Sequence, residues 1–242
     1  MNCMTLALNG LLLNTYFLFF YALALIASIY SYRWYYHTIL KYFPILIGYT
    51  LINEVLGYLI WNNNDIQIVY TEGFHEYNNL IYNIFDIIFF LYFYYVFWNT
   101  ITDQKSKRMV FLGSLLFILS SIINPFFQDF FVFAQIWASS VGSMVLIICI
   151  IFYLAQKKPS IRTNKNSDIL IWIGIGLLVF YPFYPFFLII GQMDYGLFQK
   201  LHIRKIQHFL IALMYLSMTI GFLRMRRPYS TVYQVNQKSP DG

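Results

Sequence analysis

A chain that carries seven apolar runs, each of about 18 residues or more, has few folds open to it. A helix rises about 1.5 Å per residue and a bilayer's hydrocarbon core is about 30 Å thick, so each run can cross as one helix. The runs are Gly10 to Tyr32, His37 to Trp61, Asn79 to Thr100, Met109 to Gln128, Val132 to Leu154, Ile169 to Ile190 and Ile206 to Leu223. The expected fold is all-α: an integral membrane bundle of seven transmembrane helices, one domain over residues 1–227. Residues 228–242 are polar and read as a disordered cytoplasmic tail.

Composition closes off the soluble alternatives. Hydrophobic residues make up 60% of the 242 positions and charged residues 11%, against about 25% charged in an average soluble domain. Spans and short connections use nearly the whole length, so no separate soluble domain is expected. The net charge of +6 does not indicate nucleic acid, because the bases lie in short loops beside apolar runs. Cys3 and Cys149 should stand toward opposite membrane faces, which excludes a disulfide between them. No Lys or Arg precedes Arg33, so the first run reads as a retained helix rather than a signal peptide.

Basic residues set the expected orientation. With the N-terminus outside, 13 of the 16 Lys and Arg fall on the cytoplasmic side: Arg33, Lys41, Lys105, Lys107, Arg108, Lys157, Lys158, Arg162, Lys165, Arg224, Arg226, Arg227 and Lys238. Lys200, Arg204 and Lys205 fall in the last outer connection, which reads as an anion-facing patch or as an amphipathic piece along the surface. The outer loop between runs two and three holds Asp65, Glu72 and Glu76 and no base. The positive-inside rule therefore places the N-terminus outside and the C-terminus in the cytoplasm. The expected location is a cell membrane, and the abundance of Ile, Asn, Tyr and Phe points to a bacterial inner membrane by association.

Two acids lie inside apolar runs, Glu54 in run two and Asp86 in run three. Counting from the helix ends puts both roughly 10 Å below the outer boundary. A charged acid at mid-membrane costs about 2.5–3.5 kcal/mol on insertion scales, so such residues mark functional sites by default. Thr50, Glu54, Gly57, Tyr58 and Trp61 share one helical stripe; Asn79, Tyr82, Asn83 and Asp86 share another. Consecutive helices are usually neighbours, so the two stripes should face each other. The same layer holds Asn53, Asn124, Ser139, Ser143, Tyr181, Tyr184, Gln207 and His208, while the inner halves of runs three and five are almost wholly apolar. The expected site is an outward-facing ligand or proton pocket of Asn53, Glu54, Tyr58, Asn83, Asp86, Asn124, Tyr181, Tyr184 and His208. The competing reading is that these residues only glue helices together.

Other features carry plainer expectations. Pro182 and Pro185 should break run six in that layer. Ala138, Gly142, Ser139, Ser143, Gly174 and Gly176 read as close-packing positions. The aromatic stretch Leu91 to Trp98 reads as lipid-facing surface and interface belt. Glu72-Gly-Phe-His75 has Glu-x-x-His spacing, but it occurs once and in a loop, so no metal and no cofactor is expected.

Seven spans in this orientation resemble rhodopsins and G-protein-coupled receptors in layout only. Run seven has no central lysine for a retinal Schiff base and no Asn-Pro-x-x-Tyr, and run three ends Asn99-Thr-Ile-Thr-Asp103. No residue carries over, no internal repeat is found, and no catalytic motif is present. The expected function is a receptor-like or sensory membrane subunit in the lipid bilayer, reporting to a cytoplasmic protein partner through its basic loops. The alternatives are a small proton-linked transporter or channel and, third, an intramembrane enzyme.

Overall fold

The computed structural model describes residues 3–62, 79–157 and 168–225, with side chains placed for 16–60, 79–157 and 168–225. The polar tail, the acidic loop with its Glu72-x-x-His75, and Lys158, Arg162 and Lys165 lie outside the described residues. The helices are α1 (Cys3–Ser31), α2 (Phe43–Asn62), α3 (Asn79–Thr100), α4 (Gln104–Ile123), α5 (Ile136–Gln156), α6 (Ile169–Phe180), α7 (Tyr184–Met193), α8 (Tyr195–Lys200) and α9 (Ile203–Arg224). They provide seven segments long and apolar enough to span a membrane, with α6 and α7 sharing one, Ile169–Met193.

Local chemistry sets several boundaries. Pro44 sits in the first turn of α2, where a missing N–H costs no helical bond. The run expected from Met109 begins five residues earlier in chain order, at Gln104, because Asp103 accepts from Ser106 N at 2.9 Å and caps α4. Asp168 caps α6 through Leu170 N at 3.2 Å, and Asp194 caps α8 through Leu197 N at 2.8 Å. Run six is broken between Phe180 and Tyr184 around Pro182, whose ring cannot continue the helical ladder. The connection expected at Gly191 to Lys205 contains the short helix α8, which exposes Tyr195 and Leu197 and is flanked by exposed Met193 and Leu201.

Helix α3 packs against α2, α4 and α5; α9 packs against α1 and α6. The central place of α3 corrects the reading of its aromatic stretch. Phe93, Tyr94, Val96 and Phe97 are buried, and only Tyr95 and Trp98 among the large side chains of that stretch are exposed. A helix with neighbours on several sides buries rings that a lipid-facing helix would present to hydrocarbon. Small residues allow the close approaches. A Cβ on Gly142 would meet Phe90 at 2.8 Å and Phe117 at 2.9 Å, and one on Gly176 would meet the Met214 carbonyl oxygen at 2.7 Å.

One end of the bundle is basic. It carries the cation–ring pairs Arg33 over Trp34 (4.7 Å), Lys41 over Tyr42 (4.7 Å), Lys107 over Trp98 (5.4 Å), Lys157 over Tyr153 (5.2 Å) and Arg224 over Trp172 (4.9 Å). Bases over interfacial rings are the arrangement expected at a membrane–water boundary. Lys157 also pairs with Asp168, which accepts from the Tyr153 hydroxyl at 2.8 Å and so ties α5 to the start of α6.

Candidate functional site

Each intramembrane acid has its own set of partners. Glu54, half-buried on α2, accepts from the Tyr21 hydroxyl of α1 on Oε1 (3.2 Å) and from the Tyr82 hydroxyl of α3 on Oε2 (3.1 Å). Asp86, 7% exposed on α3, accepts from Ser139 Oγ of α5 (2.7 Å) and from the Tyr184 hydroxyl of α7 (2.9 Å). Both donors reach the same oxygen, Oδ2. Each carboxyl thus joins three helices, and α3 takes part in both clamps. The facing of α2 and α3 is real, since Tyr82 bridges it, but Glu54 and Asp86 have no hydrogen-bond donor in common.

The break in run six gives its two tyrosines different tasks. Tyr184, first residue of α7, reaches Asp86. Tyr181 is buried in the aromatic core, stacked on Phe89 at 5.3 Å and edge-on to Phe90 at 5.4 Å. His208 lies at the α1–α9 contact, stacked on Phe17 at 4.1 Å with Tyr16 edge-on at 6.4 Å. Tyr58 is half-buried one turn beyond Glu54, and Asn53 is buried with no hydrogen-bond partner on Nδ2.

Asn83 and Asn124 belong to a third arrangement that satisfies the non-helical connection before α5. Asn83 Nδ2 donates to the carbonyls of Phe130 (2.8 Å) and Phe133 (2.9 Å), and its Oδ1 accepts from Gln135 N (3.2 Å). Asn124 Nδ2 donates to Gln135 Oε1 (2.7 Å) and Gln128 Oε1 (2.9 Å), and its Oδ1 accepts from Ala138 N (3.2 Å). Gln128 Oε1 also takes Ile136 N (3.1 Å), and Gln192 on α7 joins by accepting from Gln128 Nε2 (3.1 Å). Three side-chain amide oxygens therefore cap the first turn of α5, whose N–H groups have no helical acceptor. The sequence reading missed Gln128, Gln135 and Gln192 as members. The pairing of Gln128 and Gln135 around the short link between runs four and five was the available signal, and Gln192, at the far end of run six, had none.

Two small cavities lie among the described residues. One, about 10 Å³, is lined by Asn83, Asp86, Ile87, Phe117, Ser121, Phe130, Gln135, Ala138 and Ser139. That is room for about one water molecule. Glu54, Tyr58 and His208 do not line it. The second, beside Thr50 and Tyr215, is smaller still. Among the described residues no three of His, Cys, Asp and Glu are grouped to hold a metal ion.

Fold and buried carboxyls together define a multi-pass membrane protein of seven spans. Comparison with known proteins gives nothing narrower: no family model, no curated protein and no solved structure matches the chain.

Proposed function

We propose that the protein is a receptor-like, sensory membrane subunit with its basic end in the cytoplasm. The carboxyl clamps receive a small ligand or a proton, and the change in helix packing passes to a cytoplasmic protein partner. One observation carries this reading. Asp86 holds hydroxyls from α5 and α7 on a single oxygen, so a change of charge or occupant there alters the packing of three helices. The orientation is supported by the seven described bases at one end, Arg33, Lys41, Lys105, Lys107, Arg108, Lys157 and Arg224, against Lys200, Arg204 and Lys205 at the other. The pocket residues of the sequence reading divide between roles: Glu54 and Asp86 with Tyr184 take the input, and Asn83 and Asn124 hold α5 in register.

The test is partner recovery from cross-linked native membranes, comparing the natural chain with Asp86→Asn and Glu54→Gln. The sensory reading expects a partner whose association or output changes in Asp86→Asn while the variant still folds. Flux into proteoliposomes that collapses in the same variants would favour a transporter. Turnover of an amphiphile by the purified chain would favour an enzyme. Loss of folding and nothing else would reduce both acids to helix glue.

A further inference from the structure

The end of the bundle away from the cation–ring pairs carries two bases that stand uncommitted. Lys200 closes α8, Lys205 lies in the first turn of α9, and both are exposed. Among the described residues neither has an ion pair or a ring partner, whereas five bases at the other end lie over rings. Arg204 beside them has an interaction of its own. A short turn joins the two lysines: His202 N donates to Gln199 O at 3.0 Å, and Lys205 N donates to His202 O at 2.9 Å. Among the described residues His202 makes no side-chain cap bond to α9, so the positive end of that helix dipole adds to the two ammonium charges.

Beyond Lys205 the surface of α9 turns apolar. Ile206, Phe209, Leu213 and Leu216 are exposed and recur at three- and four-residue spacing, which lines them up on one face. Lys205 heads that face, four residues before Phe209. From Ile206 to Leu216 the stripe runs about 15 Å, half of a hydrocarbon core of about 30 Å. That is the depth of one leaflet. Exposed Leu197 and Leu201 lie to either side of Lys200 in the chain, so apolar surface also borders the bases at the level of α8.

We propose that Lys200 and Lys205 hold the headgroup of an anionic phospholipid whose acyl chain lies along this stripe. A soluble anion would use the charges and leave the stripe uncovered; a neutral lipid would cover the stripe and leave the charges unmet. An anionic phospholipid of the leaflet at this end matches both. Carboxylates of the chain itself are the competing occupants. Asp194 is engaged as the cap of α8, accepting from Leu197 N at 2.8 Å, and Asp65, Glu72 and Glu76, between α2 and α3 in sequence, lie outside the described residues. Neither lysine belongs to the Glu54 or Asp86 clamp, so the site does not depend on the sensory reading.

The experiment uses the full chain in phosphatidylcholine nanodiscs doped with a photoactivatable lipid, either phosphatidylglycerol or phosphatidylcholine, with a diazirine midway along one acyl chain. Labelling of residues 206–216 is mapped by mass spectrometry and divided by labelling of residues 115–122, on the exposed face of α4. The normalised value should favour phosphatidylglycerol about 25-fold, from about fivefold for each lysine near the surface. Lys200→Gln and Lys205→Gln should each lower the preference about fivefold, and the double variant should remove it. Equal labelling by the two lipids, or a preference that survives in the double variant, would overturn the site. A preference abolished by inorganic phosphate, but not by chloride at the same ionic strength, would assign the lysines to a soluble anion and overturn the lipid. A preference that emerges only when Asp65→Asn, Glu72→Gln and Glu76→Gln are combined would assign the lysines to those acids, and would overturn it too.

Discussion

Glu54 and Asp86 are the same chemistry in two different settings. Glu54 distributes its donors, one tyrosine to each oxygen at 3.2 and 3.1 Å, on a half-buried side chain. Asp86 concentrates both donors on one oxygen at 2.7 and 2.9 Å, is buried, and lines a small cavity. Both carboxylates take two donors, and they differ in how the donors are shared between the two oxygens and in burial. The contrast shows that an acid in a membrane span is informative through its partners more than through its presence.

The sharpest way to break the comparison is to remove each acid. Asp86→Ala leaves the buried Ser139 hydroxyl and the half-buried Tyr184 hydroxyl without their acceptor, at roughly 1–3 kcal/mol each, and should lower stability by roughly 3 kcal/mol. Glu54→Ala should cost about 1 kcal/mol, since interhelical hydrogen bonds in membranes average about 0.6 kcal/mol and, of its two donors, Tyr82 is only half-buried while Tyr21 is buried. Unfolding in mixed micelles reads both values. Equal losses would erase the distinction, and an unchanged Asp86→Ala would mean that its clamp does not hold α7.

Gly142→Ala separates the two sites from a distance. Its new methyl would meet the buried rings of Phe90 and Phe117, one turn beyond Ser139, and overpacking of this kind costs about 1–3 kcal/mol. It should push α5 from α3 and weaken the Asp86 clamp while leaving the Tyr21–Glu54–Tyr82 bonds intact. A cysteine pair across each contact, with cross-linking rates compared in the variant, distinguishes the two effects.

The smallest effect is expected at an acid outside the spans. The Ser106 hydroxyl first, and then the Ser106 backbone N–H, hold the Asp103 carboxyl below the usual aspartate range. A folded-state value below the unfolded one means the cap contributes fully above the unfolded value, near 3.9. The contribution is lost as the pH falls through the lower folded value. Hydrogen exchange at the first turn of α4 should accelerate only in that acid window, and acceleration near neutral pH would contradict the assignment. Asp103 provides the solvent-exposed reference against which the two intramembrane acids can be compared.

Much of the candidate site was visible as residue types but not as partnerships. Glu54 and Asp86 stood out because charge is rare in apolar runs. Asn83 and Asn124 stood out as polar, yet their work as caps for α5 depends on where the 124–135 connection folds back. Tyr21 gave no signal, being one ring in an aromatic first run. Tyr181 and Tyr184 looked equivalent until the break between α6 and α7 sent one into the core and the other to Asp86.

The sequence alone determined seven spans and the break in the sixth. Apolar length, proline and capping residues act within a few turns, and a helix in lipid must satisfy its backbone locally. Only the tertiary structure decided which acid meets which hydroxyl, and that both donors of Asp86 reach one oxygen. Those facts depend on the rotation and spacing of helices distant in sequence, set by ring packing and by small residues such as Gly142 and Gly176, which no local pattern encodes.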